Sequence, residues 1–336
     1  DTGINLQAGS TINADRTDAG NGAVGLYTNY GKINTNASST INVETGSNVV
    51  NDSGVGIYAV NGSEVNSAGT ININGNKSIG ILGAAYREDV TSGAAIVNEF
   101  VNSYGVVAPG QGTSRVVNTG TINLSGNNAT GIYVKNNNSS AANTGTTATN
   151  SGAGKINLSA NSVGTGRAIG IYITPTTTTR NINTSLNITG KDAVGLFLKN
   201  GSNINYGGTL DISSNSSNTV FGIGASIDKN STFTLASTGK VKIGGLNNIG
   251  FYVKEGGILQ VSGGTVENTK DGIFAYLENG KLDFKAGAVP NINFLNTFVS
   301  GSKGSIENST TITVGTAGLQ ASDGAKIINN TSGTIN

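Results

Sequence analysis

The chain has 336 residues, of which 51 are glycine, and it contains no His, Cys, Met or Trp. These absences exclude disulfides, Cys or His metal sites, Ser-His-Asp triads and thiol nucleophiles, so no catalytic, cofactor-binding or metal-binding residues are expected. The formal net charge of +1 argues against a nucleic-acid partner, and no apolar run approaches the roughly 18 residues of a transmembrane helix.

The first predicted element of each repeat is a strand that contains a Gly-Ile-Tyr-like tripeptide. The tripeptide begins at Gly25, Gly56, Gly80, Gly131, Gly170, Gly195, Gly222, Gly250 and Gly272. Six of the eight intervals between these glycines span 22 to 31 residues, whereas Gly80 and Gly131 are 51 residues apart. A common period of about 24 residues is typical of stacked repeat architectures.

Two further strands are predicted between successive copies of the tripeptide. The second strand follows Asn-Gly-Ser, as in Asn61 to Asn66, and the third contains Gly-Thr-Ile-Asn, as in Gly69 to Ile73. Apolar and polar residues alternate in both, as in a strand with one buried face. The position of Asn72 is expected to face water, because other repeats have charged residues there. These are Asp211, Lys242, Glu267 and Asp283.

Three short strands with one apolar face each cannot bury those faces within one repeat. Stacking successive coils lines an interior with the apolar faces and pairs each strand in parallel with its copies. The sequence therefore predicts an all-β fold, a parallel β-helix with three short strands per coil of about 24 residues, continuous over 1–336 and with Gly and Asn at its corners. An antiparallel sandwich, favoured by hairpin signals at Asn61-Gly62, Asn200-Gly201 and Asn279-Gly280, fits the constant period less well.

The repeats resemble those of a known class of bacterial surface proteins. The run from Gly120 to Val134 is similar to passenger repeats of large type V autotransporter adhesins, and its Asn-rich, Cys-free character is most similar to the large fusobacterial outer-membrane adhesins. The resemblance implies a right-handed β-helix on the bacterial cell surface, at the outer membrane or secreted. It also implies attachment to host cells or other bacteria through a glycan or a protein receptor. Because the chain begins and ends within repeat-like sequence, we expect an internal fragment of a longer passenger.

The aromatic position of the tripeptide is the first candidate for a binding role. We expect these side chains to form an outward-facing stripe beside a column of glycines. The stripe comprises Tyr27, Tyr58, Leu82, Tyr133, Tyr172, Phe197, Tyr252 and Phe274. One interpretation is a structural ladder in which each ring lies over a neighbouring glycine. The other is a platform for sugar rings or a partner chain, since contiguous exposed apolar surface marks interaction sites.

Three breaks in the period predict insertions, near 84–117, 135–155 and 284–303. The first contains the densest mixture of aromatic and charged residues in the chain and is the second candidate for partner binding, a capping loop being the alternative. Its candidate residues are Tyr86, Arg87, Glu88, Asp89, Phe100, Tyr104 and Arg115. The second break is a polar loop, and the third, which contains Pro290, is expected to be a disguised coil with core residues.

We therefore expect a non-enzymatic adhesin segment that binds a glycan or protein receptor of host cells or partner bacteria. One alternative is a polysaccharide-degrading β-helix enzyme that uses a pair of acids, for which Glu88-Asp89 or Asp15 and Asp18 are the only close clusters. The other is a purely structural stalk that spaces a distal binding tip from the membrane.

Overall fold

A computed structural model describes residues 3–15, 23–29, 31–44, 54–60, 63–84, 115–135, 147–148, 154–173, 179–199, 201–213, 222–245, 247–254, 256–268, 272–287, 291–293, 299–313, 319–322 and 324–336. All regular structure within these ranges is β-strand. None of these residues belongs to a helix long and apolar enough to cross a membrane. The chain divides into two compact units, the first comprising mainly the residues up to Tyr172 and the second mainly the residues from Thr179 onward.

Each coil of unit 1 contains three strands, which we call arms A, B and C. Arm A is the strand predicted after Asn-Gly-Ser, arm B is the strand with Gly-Thr-Ile-Asn, and arm C is the strand with the Gly-Ile-Tyr-like tripeptide. Arm A consists of β1 (Gly3–Leu6), β4 (Lys32–Thr35), β7 (Glu64–Ser67), β10 (Arg115–Asn118) and β13 (Thr147–Ala148). Arm B consists of β2 (Thr11–Ala14), β5 (Thr40–Val43), β8 (Thr70–Ile73), β11 (Thr121–Leu124) and β14 (Lys155–Leu158). Arm C consists of β3 (Val24–Asn29), β6 (Val55–Val60), β9 (Ile79–Ala84), β12 (Thr130–Lys135) and β15 (Ile169–Ile173).

Unit 2 repeats the same three arms. Arm A consists of β16 (Arg180–Ile182), β19 (Asn203–Tyr206), β22 (Thr232–Leu235), β25 (Ile258–Val261), β28 (Lys281–Phe284), β31 (Ser305–Asn308) and β34 (Lys326–Asn329). Arm B consists of β17 (Ser185–Ile188), β20 (Thr209–Ile212), β23 (Lys240–Ile243), β26 (Thr265–Asn268), β29 (Asn291–Asn293), β32 (Thr311–Ile312) and β35 (Thr334–Ile335). Arm C consists of β18 (Val194–Leu198), β21 (Ile223–Ile227), β24 (Ile249–Lys254), β27 (Ile273–Glu278), β30 (Val299–Ser302) and β33 (Leu319–Ser322).

Every strand pairs with the same arm of a neighbouring coil. In arm B, for example, Thr121 to Leu124 lie in parallel register with Thr70 to Ile73. This arrangement confirms the predicted parallel β-helix with three strands per coil, and it excludes the antiparallel sandwich. Asn279 of the supposed hairpin signal lies at a coil corner, with a backbone φ of +58° that asparagine tolerates well.

The interior of each unit is formed by the alternate, inward-facing residues of all three arms. In β11, Ile122 and Leu124 are fully buried whereas Asn123 between them is not. Unit 2 adds a chain of aromatic rings to this interior, each ring in contact with the next. The ring centroids are 5.5 Å apart for Tyr206–Phe233, 5.0 Å for Phe233–Phe251, 5.4 Å for Phe251–Phe274 and 6.3 Å for Phe274–Phe284.

One inward position of unit 2 has a charged residue. Arg180 in β16 is the register partner of Ile204 and is fully buried. Burial lowers the pKa of its guanidinium from 12.5 to about 9, because the charged form loses its hydration. The arginine is therefore still protonated at neutral pH.

The outer face of arm B in unit 1 is a ladder of asparagine side chains. Each Nδ2 donates a hydrogen bond to the Oδ1 of the asparagine one coil before it. The distances are 2.8 Å for Asn42 to Asn13, 2.9 Å for Asn72 to Asn42, 2.9 Å for Asn123 to Asn72 and 2.8 Å for Asn157 to Asn123. Such ladders reinforce stacked parallel strands. The corresponding positions of unit 2 include Asp211, Lys242 and Glu267, as expected, whereas Asp283 belongs to arm A instead.

The glycines of arm C face the interior, which corrects the expectation that they share the outer face with the aromatic stripe. A Cβ atom at Gly131 would lie 2.6 Å from the carbonyl oxygen of Gly170 and 3.3 Å from Cδ1 of the core residue Leu124. A Cβ at Gly195 would likewise lie 2.5 Å from the carbonyl oxygen of Gly224. Glycine is required here because successive coils approach each other closely.

A candidate binding face on arm C of unit 2

The aromatic position of arm C does form an outward-facing row in each unit. Strand register aligns Tyr27 with Tyr58 and Tyr58 with Leu82 in unit 1. In unit 2 the same row consists of Phe197, Ser226, Tyr252 and Tyr276, and Ser300 is the register partner of Tyr276. Ring centroids are 5.5 Å apart for Tyr27–Tyr58, 4.8 Å for Tyr133–Tyr172 and 5.7 Å for Tyr252–Tyr276.

Phe274 does not belong to this row, contrary to the sequence prediction. The register pairs Ile273 with Ile249 and Tyr276 with Tyr252, so Phe274 occupies the inward position of Gly250. Its side chain is fully buried. The ring is accommodated because Ala275 replaces the bulky Phe251 at the next register position. The row residue of this coil is Tyr276, which the tripeptide pattern missed.

In unit 1 the row contributes mainly to packing. Tyr58 is only 5% exposed and packs in a cluster with Val55, Val60 and Ala84, against which Tyr27 and Leu82 also lie. Burial, followed by the neighbouring Tyr172, raises the pKa of Tyr133 to about 12. These rings are therefore largely withdrawn from solvent and pack against one another.

In unit 2 two half-buried rings of the row lie among charged side chains. The ammonium of Lys254 lies 5.9 Å from the ring centroid of Tyr252 and 3.6 Å from Oδ1 of Asp228. The hydroxyl of Tyr252 donates a hydrogen bond to the carboxylate of Glu278. Burial raises the pKa of the Tyr252 phenol, and the hydrogen bond and charge of Glu278 raise it further. We call Tyr252, Tyr276, Lys254, Asp228 and Glu278 the Tyr252 face.

No protein-family model and no curated protein sequence matches the chain. Among solved structures, the chain is similar to a crystal structure of the TibC-catalyzed hyper-glycosylated TibA55-350 fragment, at 14% identity over 99% of each chain and with a TM-score of 0.27. The assignment of the fold therefore rests on the strand pairing of this chain itself.

The Tyr252 face combines the two kinds of group that recognise sugars. Partly exposed rings pack against the apolar C–H face of a sugar, and carboxylates and an ammonium exchange hydrogen bonds with its hydroxyls. Sequence inspection identified Tyr252 but neither Tyr276 nor the charged residues. Lys254 and Glu278 lie two residues beyond their tyrosines, on the same outer side of the strand, and that spacing is a signal that would have found them.

The second predicted site lies almost wholly outside the described residues. This applies to Tyr86, Arg87, Glu88, Asp89, Phe100 and Tyr104. Arg115 is the first residue of β10 and the register partner of Glu64. Of the other predicted insertions, residues 147–148 form β13, and the third segment contains β29 and β30, which pair with β26 and β27 as in an ordinary coil.

Several carboxylates that the structure describes form ion pairs with lysines. Glu267 lies 2.6 Å from Lys240, Asp211 lies 3.5 Å from Lys242, and Glu64 lies 3.4 Å from Lys32. Within the described part of the chain, no group of three or more acidic side chains could hold a metal ion. The arrangement offers charged surface and hydrogen-bonding groups, with the aromatic pair as its apolar element.

Proposed function

We propose that this chain is a non-enzymatic segment of an adhesin that is displayed on a bacterial cell surface, and that it attaches to glycans of host cells or partner bacteria through the Tyr252 face. The observation that carries the proposal is the pair of half-buried rings, Tyr252 and Tyr276, flanked by Lys254 and Glu278 on the outer side of arm C. The resemblance of the repeats to type V autotransporter passengers supports the location.

The architecture supports attachment better than catalysis. A parallel β-helix gives rigid outer faces on which side chains repeat at the strand spacing of about 4.8 Å, so groups on adjacent coils can contact one ligand together. Asp211, Asp228 and Glu267 each form an ion pair with a lysine, whereas glycoside cleavage needs two carboxyl groups that flank the scissile bond.

The proposal is tested by replacing both rings with serine. Serine already occupies the same row in the preceding coil at Ser226, and Ser300 is the register partner of Tyr276 in the following coil, so Y252S/Y276S should fold normally. The labelled chain is incubated with host epithelial cells, with bacteria and with a glycan array. We expect the wild-type chain to bind at least one glycan class and the double variant to lose about tenfold or more in affinity, equivalent to roughly 1.4 kcal/mol.

The matched control is Y133F/Y172F, which changes two tyrosines of the same row in unit 1. Because those rings serve packing, binding should be unchanged. Retention of full binding by Y252S/Y276S with unaltered circular dichroism would refute the proposed site. Release of reducing ends from any bound polysaccharide would refute the non-enzymatic role.

A further inference from the structure

A shallow groove of about 450 Å³ lies next to the Tyr252 face in unit 2. It follows the corner at which arm C of one coil turns into arm A of the next, and we call it the corner groove. Its floor is mostly glycine backbone, and the long side chains around it are mainly lysines. The lining residues include Gly257, Gly280, Gly304, Lys281, Lys303 and Lys326.

The corner is narrow because the chain turns through left-handed backbone conformations. The φ angles are +77° at Gly256, +58° at Asn279, +54° at Lys303 and +81° at Gly324. Behind the turn, a Cβ atom at Gly280 would lie 2.7 Å from the carbonyl oxygen of Val253, so a side chain has no room there. A ligand can therefore approach the backbone of several coils at once.

The described lining of the groove is positively charged. The Lys281 ammonium lies 2.8 Å from Glu307 and 3.9 Å from Asp283, both outside the lining. Among the residues that the structure describes, neither Lys303 nor Lys326 has an ion-pair partner, and both are exposed. Glu255 and Asp323, next to the groove in sequence, lie outside the described residues. The two lysines leave positive charge free to pair with an anion.

The corner groove follows the Tyr252 face along the chain, directly after Glu278 at the end of β27. Tyr276 lies three residues before Asn279 of the groove lining, about 10 Å along an extended strand. The backbone of Asn279 also binds the preceding coil, since its carbonyl accepts a hydrogen bond of 2.7 Å from the amide of Gly256. A ligand that stacks on Tyr252 and Tyr276 can thus place its next substituent among the lysines.

We propose that the corner groove binds the carboxylate or sulfate group of an acidic oligosaccharide whose neighbouring sugar lies against Tyr252 and Tyr276. The inference rests on the proposed function, because it names the glycan class for the same face. Lysine ammonium groups form charge-assisted hydrogen bonds with such anions, and their contribution weakens as salt screens the charges. A neutral oligosaccharide of the same length gains only the aromatic contact.

The test uses the whole chain and the variant K303N/K326S. Asparagine occupies the left-handed corner position at Asn230 and Asn279, and Ser305 is the register partner of Lys326, so both replacements suit the local backbone. Binding is measured by calorimetry at low and high salt. The probes are a uronic-acid tetrasaccharide, a sulfated tetrasaccharide and a neutral tetrasaccharide.

We expect the wild-type chain to bind at least one acidic probe tenfold or more tightly than the neutral probe at low salt, and this preference should disappear in K303N/K326S. Comparing the uronic-acid probe with the sulfated probe shows which anion the groove binds. The matched control is K77N/K155T in unit 1, which also removes one exposed lysine at a left-handed corner, with a φ of +57° at Lys77, and one at the start of a strand. Threonine suits position 155 because Thr121 is the register partner of Lys155 in the neighbouring coil.

The outcomes separate this inference from the proposed function. The neutral tetrasaccharide could bind through Tyr252 and Tyr276 as tightly as the acidic probes do. That result would refute anion binding in the corner groove but would still support glycan binding at the Tyr252 face. If K303N/K326S and K77N/K155T lose the same affinity for the acidic probes, the loss reflects the net charge of the chain. That result would also refute anion binding in the corner groove. If no probe binds at any salt concentration, both proposals fail together.

Discussion

The hydroxyl of Tyr252 donates a hydrogen bond to the carboxylate of Glu278, which lies one coil further along arm C. This hydrogen bond connects a ring of the aromatic row with a charged side chain at the end of β27. Removing the carboxylate charge should therefore lower the pKa of the phenol, although the share of the shift that is due to burial will remain.

We predict that E278Q lowers the pKa of Tyr252. The measurement is the alkaline absorbance titration of tyrosinate, with Y252F used to isolate the signal of this residue. E307Q is the control, because Glu307 is paired with Lys281 in arm A and lies away from the phenol. An unchanged titration of Tyr252 in E278Q would contradict the electrostatic role of Glu278.

Tyr133 should make stability fall at alkaline pH. Its pKa is raised in the folded state from 10.0 to about 12, so between these values the unfolded chain releases a proton that the folded chain retains. Stability contributed by the neutral phenol is therefore present below pH 10 and is lost as pH rises through that window. The denaturation midpoint of wild type should fall relative to that of Y133F as pH rises across this window. A constant difference between the two would exclude the shift.

Phe274 should behave as a core residue and Tyr276 as a surface one. We expect F274A to destabilise the protein by about 3–5 kcal/mol, because it empties a fully buried site between Phe251 and Phe284. Y276S should cost about 1 kcal/mol or less, since it changes a half-buried position of the outer face. Urea unfolding measures both.

The double variant F274G/A275F tests the register directly. It restores the Gly-Phe order of Gly250 and Phe251 in the preceding coil, so it should be more stable than F274G alone. Additive destabilisation by the two changes would argue that Phe274 does not occupy the glycine position.

The inward glycines of arm C should not tolerate even a methyl group. We expect G131A to destabilise the protein by about 1–3 kcal/mol, since the new Cβ would lie 2.6 Å from the carbonyl oxygen of Gly170. G164N is the matched control within unit 1. Gly164 has a φ of +64° with no atom within 4 Å of its Cβ position, and asparagine tolerates that conformation, so the change should cost less than about 1 kcal/mol. Equal thermal shifts for the two variants would contradict the close approach of the coils.

The sequence by itself determined the parallel β-helix of three strands per coil. Ile122 and Leu124 alternate with Asn123, the same pattern recurs in every arm, and only stacking in parallel register can bury such faces. The outward position of Tyr252 was also predictable, because side chains alternate strictly along a strand.

The tertiary structure alone decided which residues of arm C face inward and which charged groups surround the rings. Gly272-Ile273-Phe274 matches the tripeptide pattern locally, but the stacking of Ile273 on Ile249 moves the register by two residues and buries Phe274. The inward positions of arm C need glycine because the backbones of successive coils approach each other closely there. A single repeat does not reveal this contact. Glu278 meets Tyr252, and Lys254 meets Asp228, only because parallel strands bring residues 26 apart in sequence onto neighbouring coils.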